Sequence, residues 1–167
     1  MHWIYLKPRP KPVITGEDRK KAQKMQPYEY ISKWNLARDK FLPAIVYFYT
    51  GNTKLREAKY CHKLNAKVFS SDAVVKQSRK FVCYAIDTHL LHKTIKIAWR
   101  SPKAPTLIFL DCFGRQLSRK GTCHSMSPAT AERIMRQIIK RNAIAVKRFK
   151  AEEARSQKKV ANLKAEF

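Results

Sequence analysis

Three short apolar runs constrain this chain more than anything else in it: residues 43–50 (PAIVYFYT), 80–87 (KFVCYAID) and 104–111 (APTLIFLD). Each is of strand length, rich in β-branched and aromatic residues and almost free of polar alternation, the pattern of a strand buried on both faces. Pro43 and Gly51 bound the first run. After the third, DCFGRQL turns at Phe113 and Gly114 into a fourth strand, which makes an antiparallel hairpin.

Between the runs the pattern changes to helical spacing. Residues 28–41 (YEYISKWNLARDKF) and 53–66 read as amphipathic helices, and Ser71 or Asp72 caps a further one ahead of Ala73 and Val74. Residues 90–99 (LLHKTIKIAW) read as a short helical or irregular piece. Ser127 and Pro128 open a last helix that meets no glycine or proline before Phe167, a rod of roughly 50 to 60 Å. The order α-β-α-β-α-β-β-α predicts an α/β fold: a mixed four-stranded sheet flanked by helices, with parallel strands across the helical crossovers. We expect a basic extension over residues 1–27, a folded domain over 28–145 and a basic helical extension over 146–167.

Charge is the second constraint. The 167 residues hold 36 Lys and Arg against 12 Asp and Glu, a formal +24. The excess is spread over all parts: +5 in residues 1–27, +12 in 28–127 and +7 in 128–167. Such a chain favours a polyanionic partner, because neutralised phosphates release condensed counterions. Pro8, Pro10 and Pro12 give the start of the chain an extended character, with Lys7, Arg9 and Lys11 interleaved and Trp3 and Tyr5 placed to stack on bases; a solvated leader is the alternative. At the other end, Lys147, Arg148, Lys150, Arg155, Lys158 and Lys159 leave little apolar face for a core, so this half-helix calls for a partner, with a frayed tail as the alternative. The apolar runs are too short to span a bilayer and no secretory h-region follows Met1, so an intracellular protein is expected, with Cys61, Cys83, Cys112 and Cys123 as thiols.

The stretch CHKLNAKVFSSDAVV from Cys61, followed by KFVCYAID, APTLIFLDCFGRQL and a Gly121 ahead of the final helix, resembles the thioredoxin fold over residues 28–145. The likeness is to thioredoxin-like domains that carry C-x-x-C on the helix after the first strand. It implies a cis bond between Ala104 and Pro105, facing that helix. It also puts Cys61, by its distance to Phe69, at the second cysteine of the pair, so the attacking position falls on Ala58 in Ala58-Lys59-Tyr60-Cys61. An alignment shifted toward the strand places Thr53-Lys54-Leu55-Arg56 there instead. Either way the dithiol needed to attack and then resolve a mixed disulfide is absent. Cys61 then reads as a small buried hydrophobe.

Other chemistry finds less support. The pairs Cys61-His62 and Cys123-His124 hold zinc-ligating types, but adjacent residues on one element point in different directions. Asp87 and Asp111 end strands without further acid-base partners, and no glycine-rich phosphate loop occurs. The expectation is therefore a non-catalytic, structural RNA-binding component of a ribosome or similar particle, cytosolic or mitochondrial. Its partners would be ribosomal RNA and neighbouring ribosomal proteins, with no membrane, cofactor, metal or small-molecule substrate. Lys59, Lys63 and Lys67 join the terminal basic residues as its RNA contacts. The alternative is a thiol redox or chaperone-like protein of the thioredoxin superfamily using Cys61 alone; a protein associated with DNA or anionic lipid is a third reading.

Overall fold

The computed structural model describes residues 1–6, 35–91, 96, 99–100, 102–121 and 123–165. Its centre is a mixed sheet in the order β1-β3-β2-β4-β5. Strands β2 (Ala44–Tyr49), β3 (Val82–Asp87) and β4 (Thr106–Leu110) are the three apolar runs, and β5 (Gln116–Lys120) follows the turn. Parallel pairing joins β2 to β3, whereas β4 runs antiparallel to both β2 and β5. The expected four strands become five, because β1 (Ile4–Tyr5) adds to the outer side of β3 in parallel, Ile4 opposite Tyr84. Two residues are too few to show a period-two pattern, so the sequence placed them in an arm.

Alternation along the central strands divides the core. Ile45, Tyr47, Cys83, Ala85, Leu107 and Phe109 face one side, and Val46, Phe48, Tyr84, Ile86, Ile108 and Leu110 face the other. The first side is covered by α2 (Arg56–Leu64), a π-helical turn (Asn65–Phe69), α3 (Asp72–Ser78) and α4 (Pro128–Ala165). On the second lie Trp99 and Ala37, the latter on α1 (Asn35–Asp39). Residues 28–34 of the expected first helix lie outside the described residues, as do residues 92–95 and 97–98 of the piece before β4.

Local chemistry accounts for the joints. The Asp87 carboxylate accepts the N–H groups of Gly51 (3.0 Å) and His89 (2.9 Å), and a Cβ on Gly51 would meet that oxygen at 2.9 Å and push the carboxylate aside. The Asp111 carboxylate accepts from Phe113 N–H (3.0 Å) and Arg115 N–H (2.9 Å), while Gly114 supplies the positive φ of 89° that turns β4 into β5. Both carboxylates thus hold turns. Ser127 caps α4 through its hydroxyl, which accepts the Thr130 N–H at 3.2 Å.

Helix α4 runs unbroken for 38 residues, so the expected boundary at residue 145 falls inside it. Its first half buries Ala131, Ile134, Met135 and Ile138 against the sheet. Asn142 then reaches two loops at once: its carbonyl oxygen accepts Cys112 N–H at 2.8 Å and its amide donates to the Phe41 carbonyl at 2.9 Å. About two turns further, Phe149 packs on Phe113 and Phe41, with ring centroids 4.9 and 6.2 Å away.

Replacing Asn142 by Leu orphans both loop groups, at about 1–3 kcal/mol for each. Urea unfolding of Asn142→Leu should show a lower midpoint at unchanged slope, and an unaltered midpoint would refute the clamp. Burial raises the Cys83 thiol from 9.0 to about 12, and burial with the adjacent Asp111 charge raises Cys112 to about 11. Between the ordinary and raised values the unfolded chain has lost a thiol proton that the native chain keeps. Stability is therefore full below pH 9 and falls as pH rises toward 12, by about 1.4 kcal/mol per pH unit for Cys83. Cys83→Ala should be less stable at neutral pH yet lose stability less steeply above pH 9 in the same urea titration.

Candidate thiol site

The chain leaves β2 through a turn closed by Asn52, whose side-chain oxygen accepts Lys54 N–H at 3.1 Å and whose carbonyl accepts Leu55 N–H, also at 3.1 Å. This turn holds Thr53 and Lys54, and it explains the long interval between strand and helix. Helix α2 begins at Arg56 with Leu55 as an uncapped N-cap. Ala58 lies in its first turn, half-buried, and carries no nucleophile. Lys59 points to solvent and Tyr60 is half-buried.

Cys61 faces the sheet and is 4% exposed. It belongs to the same buried cluster as Tyr47, Ala104 and Cys123. Cys123 begins a 3₁₀ turn (Cys123–Ser125) just ahead of α4. The Ala104–Pro105 peptide bond is cis. Cys123 reads the Pro105 carbonyl twice, donating from its N–H at 3.1 Å and from Sγ at 3.3 Å. Burial raises the Cys123 thiol to about 12.

Tyr47 connects these groups. Its hydroxyl is buried without a partner of normal hydrogen-bond geometry, yet lies beside the Cys61 thiol and within electrostatic reach of Cys123. Burial, reinforced by Cys61, shifts its ionisation far upward, so it stays a neutral donor. Tyr60 and His124, the chain neighbours of the two cysteines, stack with centroids 4.6 Å apart and planes at 26°. Arg56 lies over the Tyr60 ring at 5.6 Å, and His124 Nδ1 is buried without a hydrogen-bond partner. Among the described residues no group of three or more His, Cys, Asp or Glu is placed to hold a metal, and no helix is long and apolar enough to cross a membrane.

The ring of Tyr47 also walls a second feature, a cavity of about 330 Å³ lined by Trp3, Tyr5, Tyr49 and Phe69 among others. Trp3 is half-buried and packs against Tyr47 (5.2 Å) and Phe69 (5.0 Å). Tyr5 is 65% exposed at the sheet edge, edge-on to Tyr49. Lys7, Arg9 and Lys11 lie outside the described residues. Lys59, Lys63 and Lys67 are exposed on α2 and the π-helical turn, and Lys147, Arg148, Lys150, Arg155 and Lys158 are exposed on α4, which also carries Lys159. Lys150 sits over the Phe41 ring at 5.2 Å. Sequence reasoning missed Tyr47 and the common buried cluster that holds Cys61 and Cys123. The one available signal was that each cysteine has a histidine after it, which carries no information about distance.

No family model matches the chain, and no curated protein matches it. Among solved structures it is similar to a thioredoxin from Thermus thermophilus, at 22% identity and a TM-score of 0.52 over 65% of this chain and 82% of that one. It is also similar to the DsbH oxidoreductase, at 18% identity and a TM-score of 0.51 over 66% of this chain and 81% of that one. These likenesses correct the expectation of a structural rRNA-binding component of a ribosome: they run to a thioredoxin and an oxidoreductase, not to ribosomal components. Net charge had carried the ribosomal reading, and charge reports what attracts a surface without reporting what a fold does. The chain has an α/β thioredoxin-like fold with a five-stranded mixed sheet and a long C-terminal helix, and it lacks the C-x-x-C dithiol.

Proposed function

We propose that the protein is a thiol-redox protein of the thioredoxin superfamily that works through Cys61. The observation that carries this reading is the company Cys61 keeps: a neutral Tyr47 hydroxyl beside it and, in the same buried cluster, a Cys123 thiol bonded to the cis-Pro105 carbonyl. A cysteine serving only as a core hydrophobe needs no polar hydroxyl left unpaired at its side. In the exchange, the Cys61 thiolate attacks one sulfur of a partner disulfide. A Cys61–partner disulfide forms, the partner's other sulfur leaves as a thiolate, and that thiolate takes up the proton Cys61 released.

With Ala58 at the attacking position and Cys61 buried, exchange is slow and stoichiometric, unlike the turnover of a dithiol reductase. The rim of α2 and the π-helical turn is cationic through the exposed Arg56, Lys59, His62, Lys63 and Lys67, of which the histidine adds charge only when protonated. That rim favours disulfides carried by acidic partners, the more so at low salt.

The test is to expose the folded protein to oxidised glutathione, a carboxylate-bearing disulfide, and then alkylate the remaining thiols. Cys61 should be withdrawn from alkylation while Cys83 and Cys112 keep their thiols, more slowly at raised salt, and Cys61→Ser should leave no oxidised cysteine pair or adduct. Should Cys61 remain a free thiol throughout, the protein is a thioredoxin-like scaffold without thiol chemistry.

A further inference from the structure

We propose that Cys123 is the resolving thiol for Cys61, so that a disulfide between them replaces the missing C-x-x-C and ties α2 to the turn ahead of α4. The proposal rests on the thiol reading of Cys61 above and adds to it a specific second cysteine.

The two cysteines lie in one region of the core. Both belong to one buried cluster, together with Tyr47 on the strand beneath them. Helix α2 packs against the turn Cys123–Ser125. The chain neighbours of the two cysteines, Tyr60 and His124, are stacked ring on ring at 4.6 Å. Two buried polar atoms without partners, Tyr47 Oη and His124 Nδ1, occur on these same residues. Unsatisfied buried polar atoms are uncommon enough to mark a place where the protein does something other than pack.

The remaining cysteines are otherwise engaged. Cys83 lies on β3 with its Sγ toward the Ser78 carbonyl at 3.9 Å. Cys112 sits beyond β4, with its backbone bound by Asn142. Neither has a neighbour stacked on the cysteine pair.

The chemistry balances as two exchanges. A partner disulfide first yields the Cys61 mixed disulfide and one partner thiol. Cys123, as its thiolate, then attacks the Cys61 sulfur, the Cys61–Cys123 bond forms, and the second partner sulfur leaves and takes the Cys123 proton. One partner disulfide is reduced to two thiols and one protein dithiol is oxidised. On oxidation Cys123 Sγ gives up its hydrogen bond to the Pro105 carbonyl, which keeps the Cys123 N–H. The cost of closure is thus one buried sulfur donor, with the backbone contact retained.

The full chain would be incubated in native buffer with oxidised glutathione, quenched in acid, alkylated, and digested with trypsin without reduction. The wild type should yield the peptide of residues 60–63 linked to that of residues 121–133. Cys123→Ser should instead retain glutathione on Cys61, about tenfold more than the wild type at the same time point. Cys123→Ala is run beside it, with near-ultraviolet circular dichroism confirming the fold of each variant. If the wild type and both Cys123 variants retain equal glutathione on Cys61, Cys123 resolves nothing, although Cys61 is still a reacting thiol. A link from Cys61 to Cys83 or Cys112 also overturns the pairing. If Cys61 takes up no glutathione in any form of the protein and no linked peptide appears, the thiol reading itself falls and the pairing with it.

Discussion

The fold depends on covering both faces of three short strands. Because β2, β3 and β4 turn large apolar side chains up and down in alternation, neither face of the sheet can be left to water. The helices on the two sides are what the alternation requires. Tyr84, Phe48 and Ile108 on one face and Ile45, Leu107 and Phe109 on the other are each 2% exposed or less. At about 25 cal/mol per Å² of apolar surface removed from water, these strands are the main source of stability.

This dependence explains what was legible in the sequence. A strand buried on both faces announces itself as an unbroken apolar run, so β2, β3 and β4 could be read with their bounding Pro43, Gly51 and Asp111. The long C-terminal helix was equally plain, since Ser127-Pro128 opens it and nothing breaks it. What the chain hid was anything defined by contacts across long intervals. β1 is two residues long and gains its meaning only by docking Ile4 opposite Tyr84. Asn142 looks like one more polar helix residue until Phe41 and Cys112 are seen to share it. Nor does the sequence say that the Trp3 ring packs on Tyr47 and Phe69.

The site was legible by half. The resemblance located Cys61 on the helix after the first central strand and drew attention to Pro105, because helix and proline come in a recognisable order. It offered Ala58 as the end of the chemistry, since the expected second thiol lay along the same helix. The structure places another thiol, Cys123 in the turn before α4, in the same buried cluster as Cys61. Charge misled for a related reason: a count of cations along a sequence reports what attracts a surface without reporting what the fold does, and here they lie exposed on several elements.

The edges of the sheet are unlike one another, and this bears on how the protein behaves in a crowd. An open strand edge is a template for another chain, and proteins blunt it with short strands or charge. On one side, among the described residues, β1 pairs with β3 at Tyr84 and Ala85, with the Leu6 N–H adding a bond to the Ala85 carbonyl. On the other, β5 ends in Arg119 and Lys120, and the Arg119 guanidinium is turned back onto the carbonyls of Trp99 and Arg100. The dispersed positive charge that says little about chemistry therefore has a colloidal side: like charge on every copy of the chain opposes the edge-to-edge addition of one sheet to another.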